Sequence, residues 1–146
     1  MNGLGDDSLA GGPGNDQLLG GSGNDTYQFN RGDGQDTIQD TSGTADLLGF
    51  GTTINPLDLI LSRQANDLRI ALYGSTENVT IQNWYAGSFN QVETVRAGNG
   101  QQLLNNKVDQ LIQAMASFSQ QTGLTWDQTI DQRPQEVQQV LAANWQ

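Results

Sequence analysis

Aspartates recur every nine residues at the start of this chain, each closing a glycine-rich turn. The run Asn2-Gly-Leu-Gly-Asp-Asp-Ser-Leu-Ala10 is followed by Gly11-Gly-Pro-Gly-Asn-Asp-Gln-Leu-Leu19 and Gly20-Gly-Ser-Gly-Asn-Asp-Thr-Tyr-Gln28. Asp7, Asp16 and Asp25 hold the sixth place, and Leu9, Leu18 and Tyr27 the eighth. After a two-residue insertion (Phe29, Asn30) comes a looser copy, Arg31-Gly-Asp-Gly-Gln-Asp-Thr-Ile-Gln39, with Asp36 and Ile38 in register. A carboxylate at a fixed place in a tight glycine turn is oxygen-donor chemistry suited to a hard cation. The pattern G-G-x-G-x-D-x-U-x, with U a large apolar residue, reads as a parallel β-roll that binds Ca²⁺.

The spacing explains why. Glycines reach positive φ at little steric cost, so the chain turns tightly and its carbonyl oxygens point outward. The last three residues of each copy suffice for a short strand. Two copies make one coil, so residues about eighteen apart stack, with neighbouring strands about 4.8 Å apart. Calcium–oxygen bonds run about 2.3–2.6 Å, so an ion midway between stacked turns sits about one bond length from each. Asp7 is expected to share an ion with Asp25, and Asp16 with Asp36. Mg²⁺ demands shorter, near-octahedral bonds and fits this span poorly. With neither His nor Cys, the chain lacks the usual donors for Zn²⁺. A flexible Gly/Asn/Asp linker would need neither the periodic apolar residue nor the aspartate in register. A dinucleotide-binding glycine loop would need a preceding apolar strand and a following long helix.

These residues resemble the RTX (repeats-in-toxin, haemolysin-type calcium-binding) sequences, over Asn2 to about Asp40. The resemblance implies that each turn offers two backbone carbonyls and one side chain. In this chain those are Gly3, Gly5 and Asp7; Gly12, Gly14 and Asp16; Gly21, Gly23 and Asp25; and Gly32, Gly34 and Asp36. Asn2 and Arg31 replace the first glycine of their copies, at a place that supplies no ligand. The stretch from Gly32 to Asp40, followed by Ala45-Asp-Leu-Leu-Gly-Phe50, is similar to the end of an RTX array, so Asp40 and Asp46 are expected to close the last half-sites. A plain surface turn is the competing reading of Asp46. Residues from about Thr53 to Leu104 resemble the domain that often follows such arrays, notably Asn66-Asp-Leu-Arg-Ile70 and Val79-Thr-Ile-Gln-Asn-Trp84.

The elements that must position these turns follow from the rest of the chain. Leu57, Leu59 and Leu61 alternate, as do Leu68, Ile70 and Leu72, then Val79 and Ile81, with turn residues between them. Gln91 to Arg96 reads as another strand, closed by Gly98-Asn99-Gly100. These short strands are expected to continue the roll as a cap, since the last coil otherwise exposes an unpaired edge and an open core. Trp84 and Tyr85 are expected to seal that end; an exposed platform for a sugar ring is the alternative. From Asn105, Val108, Leu111, Ile112, Met115 and Phe118 follow helical spacing, with Asn105 or Asn106 as N-cap and Gly123 as the stop. Pro134 opens a second helix with Val137, Val140 and Leu141 on one face. The expected organisation is mainly β: residues 1–46 as the nonapeptide β-roll, 47–104 as the capping region continuing it, and 105–146 as a helical tail.

Composition narrows the function. Acids number 16 against 6 bases, for a net charge of −10, and Arg31 is the lone base before Leu47. Such a balance argues against nucleic acid as a partner. Crowded carboxylates in a thin roll repel one another without cations, so the repeats are expected to fold on Ca²⁺ binding. No run of eighteen apolar residues is present, so nothing reads as a transmembrane segment. Met1 runs straight into a repeat without a signal-peptide pattern, as expected of a piece of a longer protein. With no His or Cys, the usual catalytic triads are excluded; Glu77, Glu93 and Glu136 stand in no special context, and no enzymatic activity is expected. The resemblance implies a secreted, extracellular bacterial chain passed through a type I secretion apparatus by its C-terminal tail and folding outside. It would be the end of a larger toxin, lipase, protease or adhesin, and a monomer. A Ca²⁺-dependent adhesin or glycan-binding module is the alternative.

Overall fold

Each repeat places a few inward-facing residues between glycine turns, so its strands are short and the chain must keep turning. The computed structural model describes residues 5–40, 45–87 and 90–146. Five strands, β1 (Ser8–Ala10), β2 (Gln17–Gly21), β3 (Thr26–Phe29), β4 (Gln35–Asp40) and β5 (Leu47–Phe50), alternate between two sheets. β6 (Leu59–Gln64), β7 (Asp67–Leu72), β8 (Asn78–Ile81), β9 (Thr94–Arg96) and β10 (Gln102–Leu104) complete them. The first sheet runs β1-β3-β5-β9-β10 and the second β2-β4-β8-β7-β6.

Pairing is parallel wherever the chain winds round: β1 with β3, β3 with β5, β5 with β9, β2 with β4, and β4 with β8. It is antiparallel for β6–β7, β7–β8 and β9–β10, so both sheets are mixed rather than parallel throughout. The reason is local. Gln64 pairs with Asp67 across a two-residue turn in which Ala65 takes φ +55°, and such a tight link can join only antiparallel strands. Strands β6–β10 thus extend the sheets by hairpins as well as by further winding.

Register stacks the eighth-place residues in rows. Leu9 lies opposite Tyr27, Tyr27 opposite Leu48, and Leu48 opposite Val95 in the first sheet. Leu18 lies opposite Ile38, and Ile38 opposite Ile81, in the second. All are buried between the sheets, and Phe29 meets Phe50 edge to face at 6.0 Å. Leu57 is not a strand residue: Pro56 just before it sets a 3₁₀ turn, Pro56–Asp58, ahead of β6. Gln91 to Arg96 yields only Thr94–Arg96 as strand.

The tail forms three helices: α1 (Val108–Thr122), α2 (Trp126–Gln132) and α3 (Pro134–Ala142). Gly123 stops α1 at φ +73°, where only glycine is free of strain. Asn105 and Asn106 do not cap α1; they form a 3₁₀ turn, Asn105–Lys107, and Lys107 is the N-cap. α2 departs from the expected two helices; a reciprocal box between Thr125 and Gln128 caps it. Val108, Leu111, Met115, Trp126, Ile130, Val137, Leu141 and Trp145 join the core. Gln146 exchanges two backbone hydrogen bonds with Gln102, tying the final residue to β10.

Candidate metal centre

The site is built from the turns before the strands. Gly5, Gly12, Gly14, Gly21, Gly23, Gly32 and Gly34 all have positive φ; Gly3 lies outside the described residues. Two glycines show why no side chain is tolerated. A β carbon on Gly11 would lie 2.5 Å from Asp16 Oδ2. One on Gly34 would lie 2.6 Å from the Gly14 carbonyl oxygen of the preceding coil. The first-place glycine therefore makes room for the sixth-place carboxylate. The Gly14 carbonyl oxygen thus lies close against Gly34 of the next coil. The Gly34 carbonyl itself accepts the Asn78 N–H at 3.2 Å.

The sixth-place aspartates form ladders. Asp25 Oδ1 accepts the Asp7 N–H at 3.0 Å, and Asp46 Oδ1 accepts the Asp25 N–H at 2.7 Å. On the opposite side of the coil, Asp36 Oδ1 accepts the Asp16 N–H at 3.0 Å. Asp7 thus stacks with Asp25 and Asp16 with Asp36, in the pairs that the spacing predicts. Fifth-place side chains reach the other way: Asp6 accepts from Asn24 N–H, Asn15 from Gln35 N–H, and Asn24 from Ala45 N–H. Each coil is therefore clamped to the next in both directions.

Asp25, Asp36 and Asp46 each spend one oxygen in this way. Oδ2 of these three, and of Asp7 and Asp16 at the head of each ladder, is buried and has no hydrogen-bond partner. Burying a carboxylate oxygen without a donor or counter-charge costs several kcal/mol, on the order of 1–3 at least. The ion pairs among the described residues, Arg31–Asp58 and Arg133–Glu136, leave the rungs uncompensated. Burial pushes the Asp36 carboxyl up to about 6 and Asp46 up to about 7, and raises Asp25, against the pull of the backbone N–H each accepts. A hard cation fits this donor set: the orphaned atoms are all oxygen, anionic, and lined up along the coil axis.

Asp46 is fully buried, which removes its reading as a surface turn. Asp40, at the end of β4, points inward, and oxygens of Asp25, Asp40 and Asp46 lie within 4.8 Å of one another. Two glutamates without apparent context at the sequence level have one here. Glu93 Oε1 accepts the Asp46 N–H at 2.8 Å and continues the Asp7–Asp25–Asp46 ladder, and burial raises its carboxyl. Glu77 takes the Gly32 N–H in the fourth turn. On that side Val79 stands opposite Asp36, so the carboxylate row gives way to an apolar one. Trp84 is buried and offers no open ring face. Arg63 stacks over Tyr85, whose hydroxyl donates to Asp109.

Residues 3–27 match the family model described as the RTX calcium-binding nonapeptide repeat, a unit of four copies. Residues 67–100 match the haemolysin-type calcium binding protein related domain. No helix among the described residues is long and apolar enough to cross a membrane. The chain carries haemolysin-type RTX calcium-binding repeats, and Ca²⁺ is the ion that such repeats bind.

Proposed function

We propose that this chain is a calcium-dependent folding module, a β-roll wound from the repeats (residues 1–46), closed by a capping region (47–104) and by a helical tail (105–146). The single observation carrying this reading is the set of buried, unpartnered Oδ2 atoms on successive rungs. Ions sit between Asp7 and Asp25, Asp25 and Asp46, and Asp16 and Asp36, completed by glycine carbonyls of the turns: Gly3, Gly5, Gly12, Gly14, Gly21, Gly23, Gly32 and Gly34; a further ion sits between Asp46 and Glu93, beyond those turns. Full loading then takes about four ions, each needing six to eight oxygens. Because the rungs come together only in the coil, binding free energy is folding free energy.

In this reading the module is the end of a larger exported protein, such as a toxin, lipase, protease or adhesin. It leaves the cell unfolded by a type I route and folds as a monomer where calcium is plentiful. Catalysis is not assigned to it. The buried Trp84 gives no support to a glycan platform.

Far-UV circular dichroism with a calcium titration tests the folding reading. β signal that grows cooperatively with Ca²⁺ and collapses in EGTA is expected; a spectrum indifferent to EGTA refutes it. Export of a passenger fused to residues 100–146 tests the secretion reading separately.

A further inference from the structure

The interval between Asp25 and Asp46 differs from the others. It holds a third carboxylate, Asp40, and all three groups are essentially sealed from solvent, at 0 %, 1 % and 1 % exposure. Opposite them stands Tyr27, fully buried, with its hydroxyl against the Asp40 carboxylate. A β carbon added to Gly20 would strike both the Tyr27 hydroxyl and Asp25 Oδ2, so these two oxygens border one small space.

We propose that Asp25, Asp40, Asp46 and the Tyr27 hydroxyl form one enclosed cation site that fills before the other intervals of the ladder. The proposal rests on the calcium reading above. Three carboxylates in a space closed to water repel one another more than two at a partly exposed rung, so an ion relieves more there. The excess negative charge also favours a trivalent hard ion over a divalent one of similar size. Tyr27 is the one residue of its row, among Leu9, Leu48 and Val95, that brings an oxygen into the core.

Terbium, a hard trivalent substitute for calcium, provides the test on the full chain, because a phenol ring beside the ion sensitises its luminescence. The first equivalent of Tb³⁺ is expected to give strong sensitised emission in the native chain. Tyr27→Phe, which keeps the ring volume, is expected to lose most of the oxygen-bound contribution, weakening the first binding step a few-fold by calorimetry. Asp40→Asn is expected to weaken that step by about 10–100-fold. An unchanged first-step affinity in both variants overturns the proposal. If the native chain takes up neither Ca²⁺ nor Tb³⁺, the calcium reading fails with it. If Asp16→Asn weakens binding while Asp40→Asn and Tyr27→Phe do not, the calcium reading stands and this one falls. Circular dichroism at saturating Ca²⁺ establishes that each variant is folded.

Discussion

The Glu93 carboxylate receives the backbone N–H of Asp46 at 2.8 Å across 47 residues of chain, the same contact that Asp46 makes to Asp25 and Asp25 to Asp7. A residue outside the repeats thus continues the ladder. It joins the segment around β9 to the repeats by a carboxylate as well as by strand pairing. Glu93→Gln keeps an acceptor for the Asp46 amide but removes the charge. We expect the calcium midpoint of folding to rise several-fold, within the roughly 10–100-fold range for groups that support a metal site. Glu136→Gln is the control, since Glu136 is exposed and its ion pair is with Arg133, the residue just before its helix. Equal midpoints for the two variants would show that Glu93 is only a hydrogen-bond acceptor.

Position in the ladder predicts unequal effects among the aspartates. Asp25 is bonded to coils on both sides, through Asp7 and Asp46, whereas the Asp16 ladder reaches Asp36 and then meets Val79. Asp25→Asn is therefore expected to lower both calcium stoichiometry and cooperativity more than Asp16→Asn does. Calorimetric titration of the two variants checks the order, and the reverse order would contradict the ladder.

The raised carboxyls set a pH dependence. Burial lifts Asp36 to about 6 and Asp46 to about 7 in the metal-free chain, above an unfolded value of 3.8. Between these limits the metal-free fold holds more protons than the unfolded chain, so its stability is highest in acid and falls as pH rises through this window. Calcium must displace those protons, so its affinity moves the opposite way and increases from pH 5 to 7.5 or so. Calorimetry at pH 6 in two buffers of different ionisation enthalpy should detect proton release on binding, shrinking towards zero well above pH 7. No release at pH 6 would mean that the rungs are already ionised without metal.

How far the sequence carried these conclusions depends on what each residue's place relies on. The repeat rungs and the rows Leu9–Tyr27 and Leu18–Ile38 follow from a period counted within a few residues, and the structure stacks them as counted. Gly123 and Pro134 end and begin helices for local reasons and do so here. Glu93 was not legible: it stands outside any repeat, and only the parallel pairing of β9 with β5 brings it over Asp46. The β6–β7 hairpin hinges on Ala65 taking positive φ, which alanine seldom does. α2 did leave a signal, the Thr125–Gln128 capping pair, hidden by the shortness of the helix. The inward turn of Asp40 needed the strand register, which puts it opposite Gly21.

The cap makes the last prediction. β4 is covered on its open side by β8, and β5 by β9, so Ile38 and Leu48 owe their burial to Ile81 and Val95 as much as to the repeats. A chain ending at Thr52 keeps Asp7, Asp16, Asp25, Asp36, Asp40 and Asp46 but loses Glu93 and both covering strands. Exposing two large aliphatic residues costs about 1.5–3 kcal/mol each, and the open sheet edges add to it. That loss is large beside the stability of so thin a domain. The truncated chain is expected to remain unfolded by circular dichroism at millimolar Ca²⁺, while Val95→Ala in the full chain should only weaken folding, by about 1–3 kcal/mol. Calcium-induced β structure in residues 1–52 alone would show instead that the ladder suffices without its cap.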